Sequence, residues 1–177
     1  MPNVLNALIN IYMWVIMLRL ILQYMEVDYN NPLSQWTLML TEPVTKQISR
    51  FVGKKGSVDY PTLIWLVVVT LLGVVVFSAV NEFIPNIIII LFSLIFGILS
   101  QLCFLYFVLI IIMALGSWIP SLRDHEAMSA VNTVLSPVLK PIQNVIPPIA
   151  NLDLSPAVAG LIFLIVGSIL SVFAIAI

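Results

Sequence analysis

The chain has 177 residues, of which 62% are hydrophobic and 8% charged, with a net charge of -1 and a mean hydropathy of +1.15. A water-facing globular surface carries roughly 25% charged residues, so a soluble domain is excluded and lipid must be the main solvent. The near-neutral balance excludes nucleic acid, which calls for a strongly basic face, and the single cysteine, Cys103, allows no intrachain disulfide.

About 20 apolar residues carry a helix across roughly 30 Å of hydrocarbon. The first such run, Val4–Tyr24, is interrupted by Asn6, Asn10 and Arg19. It lacks the basic start and small-residue cleavage site of a signal peptide, so it is expected to remain as a span. Arg19 lies about 7 Å from the end of this span at helical rise. Two readings are open: it snorkels to the headgroups, or it pairs with Asp59, which precedes the second span at the same depth.

The first long loop follows, and its pattern predicts interfacial helices. Leu33, Trp36 and Leu40 form one apolar stripe. Beyond it Val44, Ile48, Phe51 and Val52 share a face opposite Lys46, Ser49 and Arg50. Pro43 is expected to begin this second helix, with Thr41 as candidate cap. The apolar face would sink into the interface and the basic face would meet anionic headgroups.

The second span, Pro61–Val80, is free of charge, and a short hinge leads to the third, Asn86–Leu115, with Pro85 expected in its first turn. Ser93, Gly97 and Ser100 make a stripe of small residues on the third span, where backbones can approach closely. The second long loop repeats the first. Met128, Val131 and Leu135 precede Val138, Ile142, Val145 and Ile146, opposite Lys140, Gln143 and Asn144, with Pro137 opening the helix, Ser136 capping it and Pro141 kinking it. The fourth span, Pro156–Ile177, carries Gly160, Gly167, Ser171 and Ala174 on one narrow face.

Shifting the chain by 94 positions, the distance from Pro43 to Pro137, lays one half on the other. Val44, Lys46, Ile48, Asp59 and Gly73 fall on Val138, Lys140, Ile142, Asp153 and Gly167. The fold class that follows is an all-α membrane protein with about four transmembrane helices in two parallel helix–loop–helix repeats, residues 1–85 and 86–177. Lys46, Arg50, Lys54 and Lys55 in one loop, with Arg123 and Lys140 in the other, put both loops in the cytoplasm and both termini outside.

Chemistry is sparse. His125 is the sole histidine, flanked by Asp124 and Glu126, where adjacent loop residues rarely converge on a metal. No P-loop, GxGxxG or HExxH occurs. Neither an enzyme nor a cofactor is expected. Asn6, Asn10 and Gln101 are the deep polar groups, read as helix–helix glue rather than a permeation path.

The strings Arg19-Leu20-Ile21-Leu22, Asn31-Pro32-Leu33 and Leu40-Thr41-Glu42-Pro43-Val44 resemble the first repeat of the YggT family of bacterial inner-membrane proteins. Ser117-Trp118-Ile119-Pro120, the run Leu135 to Ile142, and Leu152-Asp153-Leu154-Ser155-Pro156 resemble the second. Two departures stand out: Met113 replaces Arg19 in the second copy, which also lacks an Asn-Pro-Leu. The resemblance implies a multi-pass inner-membrane protein with links to osmotic-stress tolerance and cell-division loci. Its plastid relatives are linked to cytochrome-complex assembly and nucleoid organisation. The expected role is a scaffold or assembly factor that packs against other membrane proteins or itself in the bilayer, with a small conduit for ions or solutes as the alternative.

Overall fold

The computed structural model describes residues 2–52, 59–123, 125–145 and 153–174. It contains seven helices among the described residues: α1 (Pro2–Tyr24), α2 (Pro32–Ile48), α3 (Tyr60–Val80), α4 (Ile87–Trp118), α5 (Pro120–Arg123), α6 (Glu126–Val145) and α7 (Ser155–Phe173). Four of them, α1, α3, α4 and α7, are long and apolar enough to cross a membrane. In lipid every backbone N–H and C=O must be satisfied within its own helix, so apolar runs of this length have no other stable form.

The ends of the helices follow from local chemistry. The Asn31 side chain accepts from the Leu33 N–H at 2.9 Å, with Pro32 in the first turn of α2. The Asn86 side chain does the same for the Ile89 N–H at the start of α4. Asn86 therefore stands between Pro85 and the helix, and Pro85 lies outside the first turn where the sequence suggested it. At 32 residues α4 is about 48 Å long, more than the hydrocarbon needs.

Each repeat folds as an antiparallel pair with its loop helix laid across one end. α1 packs on α3 beneath α2, and α4 packs on α7 beneath α6. The α4–α7 seam is the most extensive in the molecule, because its small residues face inward. Ser93, Gly97 and Ser100 on α4, and Gly160 and Gly167 on α7, are all buried, whereas Ser171 is half-buried. The Ser100 hydroxyl donates to the Gly167 carbonyl at 2.9 Å. A Cβ on Gly167 would lie 3.1 Å from the Cys103 Cβ, tighter than ordinary contact, so glycine eases the close approach there. Gly73 of α3, its counterpart in the first repeat, faces Ile9, whose Cγ2 would meet an added Cβ at an ordinary van der Waals contact of 3.5 Å. The two loop helices touch, and the Asn31 amide donates to the Glu126 carbonyl at 2.7 Å, so both repeats present their loops at the same end.

The loop helices differ from the expectation. Pro43 does not begin a new helix, nor does Pro137: each lies inside one continuous helix, as does Pro141. Thr41 is correspondingly no cap, since its hydroxyl donates to the Thr37 carbonyl at 2.6 Å, and Ser136 lies within α6. A proline removes one N–H and disturbs one turn, and packing against the bundle holds the rest. Beside the disturbed turn of α2 the Tyr12 hydroxyl donates to the Leu40 carbonyl at 3.3 Å.

Candidate functional site

Arg19 is turned into the bundle, not up to the headgroups. Its side chain is 8% exposed and that of Asp59 1%, and they form an ion pair of 3.0 Å between Nη2 and Oδ2. The second guanidinium nitrogen, Nη1, donates to Thr41 Oγ1 at 2.6 Å and to Thr45 Oγ1 at 2.9 Å. Asp59 Oδ2 also accepts from the Thr62 hydroxyl at 2.7 Å. Removing either charge would strand the other in a low-dielectric site, which costs about 3–5 kcal/mol in buried pairs generally.

The arrangement is built by α2. Ser34, Thr37, Thr41 and Thr45 recur on one helical face and are all buried, so α2 turns a seam of hydroxyls toward α1 and Arg19. The apolar stripe faces away from the bundle: Trp36 is 67% and Leu40 50% exposed, while Leu33 alone of the three packs on the core. The expected face of Val44, Ile48 and Phe51 is divided, with Val44 and Ile48 half-buried and Phe51 exposed; Lys46 and Arg50 are exposed.

The second copy uses the same positions with opposite chemistry. At a shift of 94, Ser34, Thr37, Thr41 and Thr45 become Met128, Val131, Leu135 and Leu139, and Arg19 becomes Met113. Val131, Leu135 and Leu139 are buried in the core, with Met128 and Met113 packed against it. The hydroxyl seam and the arginine thus occur together in one repeat and are absent together in the other. Val138 and Ile142 are half-buried and Lys140 is exposed, and Ile146 lies outside the described residues. Asp153, the counterpart of Asp59, is exposed; its Oδ1 accepts from the Ser155 N–H at 2.9 Å and its Oδ2 from the Gln143 amide at 2.8 Å. The backbone N–H of Ser155 is the main cause that holds the Asp153 carboxyl below the usual carboxylate range.

Residual polar capacity remains at the Arg19 cluster. Arg19 Nε, Asp59 Oδ1 and Ser34 Oγ are buried and have no hydrogen-bond partner among the described residues. A cavity of about 130 Å³ reaches Arg19, Thr45 and Asp59 from the side of Glu42, Lys46 and Ser49. Of the deep polar groups, Gln101 Oε1 accepts from Trp14 Nε1 at 2.7 Å, whereas Asn6 Oδ1 is buried with no hydrogen-bond partner among the described residues; Trp65 Nε1 donates to the Tyr12 hydroxyl at 3.0 Å. No group of three potential metal ligands occurs among the described residues. His125 is exposed, with its Nδ1 accepting from the Ala127 N–H, and Asp124 lies outside the described residues. Sequence reasoning found Arg19 and Asp59 but missed the four hydroxyls, whose spacing at i, i+3, i+7 and i+11 was the available signal.

The CCB3/YggT family model matches this chain twice, over residues 1–80 and 92–174. YggT of Escherichia coli strain K12 is 26% identical over 92% of this chain and 84% of its own length. A protein of Haemophilus influenzae is 28% identical over 90% of this chain and 84% of its own. One encoded in the proC 3′ region of Vibrio alginolyticus is 28% identical over 88% and 84%. No solved structure matches the chain. With both helical units matched and relatives aligned along most of its length, the chain belongs to the CCB3/YggT family.

Proposed function

We propose that this protein is a non-enzymatic scaffold or assembly factor of the bacterial inner membrane, packing against larger membrane proteins with its loop helices on the cytoplasmic side. The observation that carries the reading is the orientation of α2. Thr41 and Thr45 of its buried hydroxyl seam bond Arg19, and its large apolar side chains, Trp36 and Met39, are 67% and 76% exposed on the opposite face. A helix fixed from below by charge and open above with aromatic and thioether side chains suits recognition of another membrane-embedded surface. The spans support the same reading, since α3, α4 and α7 carry no charged residue with which to line a path. A link to osmotic-stress tolerance fits a scaffold that assembles stress-responsive complexes.

A conduit for ions or small solutes is the second reading, favoured by the buried Arg19 and the hydroxyl seam, because intramembrane charges often mark pathways. Purification from native membranes in mild detergent separates the two. The scaffold reading expects a stable larger membrane protein to co-purify with the wild type and to be lost from Trp36→Ser/Met39→Ser. A pure species that passes ions in liposomes, with no co-purifying protein, would replace it with the conduit.

A further inference from the structure

The helical geometry of α2 divides it into three sectors. At about 100° per residue, Ser34, Thr37, Thr41 and Thr45 turn into the bundle, with Gln35, Glu42 and Lys46 on one flank and Leu33, Trp36, Leu40 and Val44 on the other. The two flanks face different depths. The polar flank borders the small cavity that Glu42, Lys46 and Ser49 share with Asp59 and Pro61, where α3 begins at the loop end. The apolar flank faces the middle of the membrane, because the Leu40 carbonyl accepts from the Tyr12 hydroxyl. Tyr12 stands twelve residues before the end of α1 at Tyr24, about 18 Å at helical rise, in a span that crosses roughly 30 Å of hydrocarbon. The same flank of α6 is closed. Ala130 and Val134, the counterparts of Trp36 and Leu40 at the shift of 94, are buried in the core. The exposed residues of α6 from Glu126 to Asn144 are all polar or proline.

We infer that the apolar flank of α2, with Trp36 and Leu40 at its centre, is immersed in the acyl chains of the loop-side leaflet, while the outer face of α6 stands in water. A helix with a polar flank toward the loop end and an apolar flank toward the bilayer centre has the form of an interfacial helix, and tryptophan is enriched at that boundary. Both loops carry the amphipathic pattern, yet α6 spends its apolar flank inside the core and only α2 has one left for lipid. The first repeat therefore sits deeper at its loop end than the second. A protein that takes the flank of α2 must reach it from within the bilayer and displace acyl chains. The inference rests on the orientation of α2 and holds with or without the scaffold role.

The test uses the full-length protein, purified and placed in liposomes of phosphatidylethanolamine and phosphatidylglycerol, with a nitroxide on single cysteines in a Cys103→Ser background. Trp36→Cys and Leu40→Cys report on α2, Asn132→Cys on α6, and Leu72→Cys, in the second span, is the hydrocarbon reference; all four positions are exposed, so each label is tolerated by the fold. Power-saturation electron paramagnetic resonance then compares collisions with oxygen, which concentrates in hydrocarbon, and with a nickel chelate, which stays in water. Labels at 36 and 40 should favour oxygen as the label at 72 does, and the label at 132 should favour nickel. Nickel-dominated collisions at 36 and 40 would put α2 in water and overturn the inference. Shielding of both positions from both reagents would overturn it too, by assigning the flank to a second copy of the chain. Oxygen-dominated collisions at 132 would remove the difference in depth between the repeats.

Discussion

Replacing the first repeat's polar seam with the second repeat's apolar one tests how the Arg19 cluster is held. Arg19→Met alone leaves Asp59 buried with only the Thr62 hydroxyl, and should cost about 3–5 kcal/mol. Thr41→Val/Thr45→Val preserves shape but removes both acceptors of Nη1. With bonds to a charged group valued at about 1.5–3 kcal/mol each, that pair should lose about 3–6 kcal/mol. If the sites were independent, Arg19→Met/Asp59→Asn/Thr41→Val/Thr45→Val would lose at least the sum. Because all four groups share one network, the combined variant has no buried charge left to satisfy. It should recover to within about 2 kcal/mol of wild type, since apolar replacement of a whole buried ion pair is often neutral. The assay is loss of helical circular dichroism during titration of micelles with a denaturing detergent. Additive losses, or a combined variant less stable than Arg19→Met, would refute the idea that the hydroxyls exist to hold the arginine.

At the α4–α7 seam Gly167→Ala should lower the melting temperature through about 1–3 kcal/mol of overpacking against Cys103, while Gly73→Ala, whose new Cβ meets Ile9 at an ordinary contact of 3.5 Å, should be neutral or stabilising. Single cysteines at Glu82 and Asn132 in a Cys103→Ser background should label from opposite sides with an impermeant maleimide in intact cells, Glu82 alone reacting; labelling of both would remove the shared loop end from the cytoplasm. The Asp153 carboxyl is held below the usual carboxylate range in the fold, so it stabilises the fold at higher pH and loses that contribution as pH falls through its native pKa. Asp153→Asn should flatten the acid limb of the melting-temperature profile, and an unchanged limb would mean that the bonds to Ser155 and Gln143 do not form. Arg19→Lys should fall between wild type and Arg19→Met in the same denaturation assay, because an ammonium replaces a fork that reaches Asp59 and two threonines with a point charge.

The spans and the repeat were legible in the sequence because they depend on sums and spacings along the chain. Transfer of about 20 apolar residues into hydrocarbon is decided locally, and the shift from Pro43 to Pro137 needs no coordinates. Arg19 and Asp59 could be paired on depth alone, since each stands a fixed rise from the end of its own span. The facing of α2 could not be read this way. Its sequence offers two periodic faces, one with Leu33, Trp36 and Leu40 and one with Ser34, Thr37, Thr41 and Thr45, and in a membrane protein an apolar face can be outward. Hydrophobicity does not rank them, because lipid solvates Trp36 as well as a core would. The buried charge on the neighbouring helix breaks the tie, because Thr41 and Thr45 on the hydroxyl face accept from Arg19 inside the bundle. The same holds at Pro43 and Pro137. Local propensity ends a helix at proline, but the bundle beneath keeps the flanking turns in line, and that support is a property of the tertiary structure alone.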